Sequence, residues 1–73
     1  MTNDLTASVT IHRIKMPPIG NHKARIGWQP ELIMTLGDKT RSMKCSVYAY
    51  KIDAEFYAER MLDRADYDLW EAM

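Results

Sequence analysis

Seventy-three residues with no formal net charge allow one domain and one small core, and 47% hydrophobic with 27% charged residues excludes a disordered chain. A single cysteine, Cys45, excludes an internal disulfide, and Met1-Thr2-Asn3-Asp4-Leu5 lacks the basic and apolar stretches of a signal peptide. No apolar run approaches the ~20 residues that a bilayer span needs, so the expectation is a soluble, cytoplasmic protein.

The chain reads as one domain over 1–73, with residues 1–5 expected to be mobile. From Leu5 the residues alternate. Leu5, Ala7, Val9 and Ile11 fall on one side, while Thr6, Ser8, Thr10 and His12 fall on the other. Period two with β-branched residues predicts a half-buried strand over Ala7–Lys15, and the phase slip at Arg13-Ile14 predicts a bulge or the end of core contact. Pro17-Pro18 cannot donate to a ladder, so residues 17–30 are read as one long irregular stretch. It contains His22, Lys23, Arg25 and Trp28, cations interleaved with an aromatic.

Glu31–Leu36 fits a short second strand, Gly37-Asp38-Lys39-Thr40 a turn, and Arg41–Ile52 a third strand. In that strand Met43, Cys45, Val47 and Ala49 share one face, and Ser42, Lys44, Ser46, Tyr48 and Tyr50 the other. Asp53 is the expected N-cap of one helix running to Met73. On it Ala54, Tyr57, Ala58, Met61, Leu62, Ala65 and Leu69 form an apolar stripe roughly 160° wide that can cover a sheet. Phe56, Tyr67 and Trp70 group on the opposite side. Asp66, Asp68 and Glu71 sit where the helix dipole disfavours anions, so the last turn is expected to fray. The expected fold is α+β: a three-stranded antiparallel sheet with one C-terminal helix packed across it, in the order β-β-β-α.

The zero net charge hides a division. Residues 1–52 carry eight Lys and Arg against three acids, and residues 53–73 carry seven acids against two Arg. A basic sheet part therefore precedes an acidic helix.

Catalysis and metal binding find little support. Cys45 with His12 or His22 could be written as nucleophile and base, but no local motif joins them, and a mid-strand cysteine is ordinarily a small core residue. Two histidines ten residues apart and a distant cysteine match no zinc spacing. The expectation is a non-enzymatic protein with no cofactor and no metal. Direct nucleic-acid binding is the alternative, because Arg13, Lys15, Lys23, Arg25, Arg41 and Lys44 with Trp28, Tyr48 and Tyr50 offer phosphate contacts and stacking faces. Against it stands a pI of about 6.7, well below the value above 9 typical of such domains.

Protein binding is the favoured class, since aromatics and arginine carry interface energy. The principal partner-binding candidates are Arg13, Lys15, Lys23, Arg25 and Trp28, and the secondary ones are Phe56, Tyr67 and Trp70. In length, charge division and strand–helix order, with Met16-Pro17-Pro18-Ile19-Gly20 and Lys39-Thr40-Arg41-Ser42, the chain resembles small phage-encoded host-takeover proteins. More narrowly, it resembles the RNA-polymerase-binding transcription regulators of lytic Xanthomonas phage. That resemblance implies binding to host RNA polymerase, at the N-terminal part of its largest subunit near the RNA exit channel, with an elongation factor as co-partner. It further implies σ displacement, inhibition of promoter-dependent initiation and antitermination, acting as a monomer in the host cytoplasm. An inhibitor of another host machine, such as a CRISPR complex or gyrase, is a further alternative.

Overall fold

In the computed structural model, which describes residues 4–21 and 23–73, one strand runs unbroken over Leu5–Met16 (β1), its alternating burial ending at Ile11, beyond which Arg13 and Lys15 are exposed. It pairs antiparallel with Arg25–Leu36 (β2), from Leu5 opposite Leu36 to Met16 opposite Arg25. No bulge interrupts Arg13-Ile14: Ile14 points away from the helices and lies opposite Gly27. A two-residue turn joins β2 to Lys39–Lys44 (β3), completing a sheet of order β1-β2-β3. Gly37 takes φ 64 there and no other residue type takes positive φ among the described residues, the pattern of a type II′ hairpin.

The expected irregular stretch 17–30 is thus mostly strand; only residues 17–24 lie outside the ladder. Pro30 sits in the central strand, where proline is uncommon. Its edge toward the third strand resolves the conflict. The Cys45 N–H donates to the Pro30 carbonyl at 2.9 Å, but Pro30 has no N–H to return. The Gln29 amide supplies that missing donor to the Cys45 carbonyl at 2.8 Å, so no carbonyl is left bare.

The third strand also ends earlier than its alternation indicates. After Lys44 the chain leaves the ladder and returns for one bridge, Trp28 with Tyr48. One extra residue separates that bridge from the Pro30–Cys45 contact, which turns Tyr48 to the helix side. There its ring stacks on Tyr57 at 4.8 Å, and burial raises its pKa above 10.0. Val47 goes to the other face.

The single expected helix is two. The first, Lys51–Asp63 (α1), has its N-cap at Tyr50, three residues before the expected Asp53, with no side-chain cap. The second, Tyr67–Ala72 (α2), is capped by Asp66, whose carboxylate accepts from the Leu69 N–H at 2.9 Å. Asp66 and Asp68 therefore sit at a favourable N-terminus rather than a frayed C-terminus. The break also resets the helical phase. Trp70 turns inward to 6% exposure and joins Leu32 and Met34 in the core, with Leu5, Ala7, Val9, Leu36, Met61 and Leu69 packed around them. Ala54 and Ala58 are the buried points of α1 against β1 and β2. No helix among the described residues is long and apolar enough to cross a membrane.

This core occupies one end of the molecule. The Cα radius of gyration is 15.0 Å, against about 11 Å for a compact chain of this length. The principal-axis extent of 57 Å comes from the β1–β2 hairpin, whose distal part projects past the start of α1 as an arm.

Candidate functional site

The arm carries a cluster of cations. Arg13 and Lys15 lie opposite Trp28 and Ile26 on the helix-side face, while Arg25 opens β2 opposite Met16. All four cations, Arg13, Lys15, Lys23 and Arg25, are exposed. The ion pairs found among the described residues, His12–Glu31 and Lys51–Glu55, include none of them. Other cations of the chain are engaged: Arg41 lies 4.4 Å from the Trp70 ring, Lys51 5.5 Å from Trp28 and Arg60 5.4 Å from Phe56.

Between the arm and the segment that follows β3 runs a groove of about 470 Å³. Lys23 and Arg25 line it together with Met16, Pro17, Ile19, Ile26, Val47, Ala49 and Tyr50. Ile19 is 74% and Tyr50 69% exposed, large apolar groups left in water beside unpaired cations. Gly27 lies beneath: a Cβ there would run into Val47 Cγ1 and come within 3.0 Å of Met16 Sδ. The absence of a side chain is what lets these two residues close over β2.

Of the five principal candidates, the structure brings Lys23 and Arg25 into the groove and places Arg13 and Lys15 on a neighbouring face. Trp28 is tied into the sheet. Half-buried in β2, it exchanges backbone hydrogen bonds of 2.8 and 2.7 Å with Tyr48 and lies beneath Lys51. The secondary trio does not share a face. Phe56 and Tyr67 are each 54% exposed, but Trp70 is buried, so its expected place as a surface contact is corrected by the break in the helix. The apolar groove residues escaped the sequence reading because they come from three separate segments. The signal that could have found them was Ile19, an isoleucine with no alternation to place it in a core.

Cys45 and His12 lie on opposite faces of the sheet. Cys45 lies on the helix side, its thiol donating to Met61 Sδ at 3.2 Å. His12 lies on the open side of the sheet, its Nε2 2.7 Å from Glu31. His22 falls outside the described residues. Among the described residues no group of three or more His, Cys, Asp and Glu is placed to hold a metal ion.

The His12 hydrogen bond, helped by Ser42, holds the Glu31 pKa below its usual 4.5 against the opposing effect of burial. A carboxylate whose pKa is lowered by folding contributes stability above its unfolded value, and that contribution disappears as pH falls through the lowered one. Glu31→Gln is therefore expected to be less stable than the parent near neutrality. The gap should close as the pH falls below about 4.5, in urea melts taken at stepped pH. A gap independent of pH would remove the linkage.

No protein-family model, curated protein or solved structure matches the chain.

Proposed function

We propose that the chain is a non-enzymatic binding module whose arm grips an acidic surface of a larger protein. The resemblance drawn from the sequence makes that protein host RNA polymerase, with inhibition of promoter-dependent initiation and antitermination as the outcome. The observation that supports binding is the groove itself: exposed apolar side chains beside Lys23 and Arg25, which pair with no acid among the described residues. Apolar contacts supply the energy of such an interface, and the charges supply its selectivity and on-rate. Occupying polymerase by this means shifts its functional states only through differential affinity for them.

The test is capture of purified core polymerase by the tagged protein. The Lys23→Glu/Arg25→Glu double variant should lose at least tenfold in affinity, about 1.4 kcal/mol, with its circular dichroism unchanged. Capture unaffected by that reversal would move the site off the groove, and no capture of polymerase by the parent would end the polymerase reading. The nucleic-acid alternative predicts instead DNA or RNA binding that weakens steeply with salt, by a slope of about 0.9 per phosphate contacted.

A further inference from the structure

The two edges of the sheet are built differently. The β3 edge is short and carries Lys39, Arg41 and Lys44, and the chain then leaves it at the extra residue before Tyr48, all devices that discourage strand addition. The β1 edge has none of these over its first half. From Leu5 to Ile11 it holds no charge, proline or bulge.

Trp28 and Pro30 direct their backbone groups toward the third strand, so the odd residues of β2 bond β1. Those odd residues pair with the even residues of β1. The backbone groups of Leu5, Ala7, Val9 and Ile11 consequently face outward, and no backbone hydrogen bond from another segment reaches them among the described residues.

We propose that a second copy of this chain adds to this edge, its β1 antiparallel to the first, giving a continuous six-stranded sheet. A two-fold axis through Ser8 pairs the uncharged stretch Leu5–Ile11 with itself: Leu5 with Ile11, Thr6 with Thr10 and Ala7 with Val9. It satisfies the outward groups with about eight backbone hydrogen bonds. It also sets Asp4 opposite His12. The two grooves then stand at opposite ends of the dimer, both open, so a target displaying two acidic surfaces would be held with avidity.

Sedimentation equilibrium across 1–100 μM should give a mass rising to twice 8.5 kDa. Ser8 is exposed and faces away from the helices, so Ser8→Lys leaves the monomer fold intact while setting two like charges against each other across the axis. That variant should remain monomeric with an unchanged circular dichroism spectrum. In a Cys45→Ser background, Ser8→Cys should oxidise to a disulfide-linked dimer, because residues at a non-hydrogen-bonded pair bring their Cβ atoms to about 4.5–5.5 Å. Thr10→Cys, which faces Thr6 of the other copy, should not. A parent that stays monomeric at 100 μM overturns the proposal, as does a dimer that survives Ser8→Lys or cross-links equally well through Thr10→Cys.

Discussion

Trp70→Ala should cost about 3–5 kcal/mol, the usual range for removing a buried tryptophan. At about 0.05–0.15 kcal/mol per residue, a chain of this length has only about 4–11 kcal/mol in total. The variant is therefore expected to lie close to unfolding at 37 °C, with a Tm lowered by on the order of 20 °C. The reason is structural. Trp70 closes the core over Leu32 and Met34, and Arg41 secures it from outside, its guanidinium 4.4 Å from the ring and its Nη1 donating to the Trp70 carbonyl at 2.5 Å. Arg41→Ala removes the outer contact alone, on an exposed residue, and should cost about 0.5–1 kcal/mol. Thermal and urea melts monitored by circular dichroism separate the two. A Trp70→Ala loss under 1 kcal/mol would return the residue to the surface role its sequence position implies.

That position shows where the sequence was legible and where it was not. The three strands, their antiparallel order and the helical C-terminus follow from alternation, turn residues and the apolar stripe. Each was set by a local period repeated over many residues. The errors arose where a single residue decided the outcome against the local pattern. Pro30 belongs to a central strand because a neighbouring glutamine supplies the donor it lacks. Asp66 reads as an unfavourable anion late in one helix, yet it caps the start of another, and three residues of break are enough to turn Trp70 from the solvent side to the core.

The candidate site divides in the same way. Its cations were legible because charge clusters are visible without a fold. Its apolar half was not, because Met16, Ile26 and Val47 converge only after the long hairpin has formed and the chain beyond β3 has come back beside it. Gly27 and Pro30 both lie inside β2 although each residue type weakens a strand, so local composition does not reveal the full length of the hairpin.

Gly27→Val tests that convergence directly, because two general expectations oppose each other. By propensity, valine in a strand should stabilise, on a scale that spans about 1 kcal/mol. By packing, its Cβ meets Val47 and Met16 at once, and forcing extra carbon into an occupied site costs about 1–3 kcal/mol, at times more. Packing should win, because the Val47 contact is too close to be relieved by a small rotation and the backbone near Tyr48 is tied to Trp28 by two hydrogen bonds. The variant is expected to lose about 2–3 kcal/mol in urea melts. The functional effect should exceed what stability explains. Val47 and Met16 both line the groove, so displacing them reshapes the surface beside Lys23 and Arg25 in molecules that remain folded. Partner capture by the folded fraction at low temperature should therefore fall with Gly27→Val and stay intact with Arg41→Ala, which loosens the opposite end. Equal capture by both would mean that the cations bind without the groove.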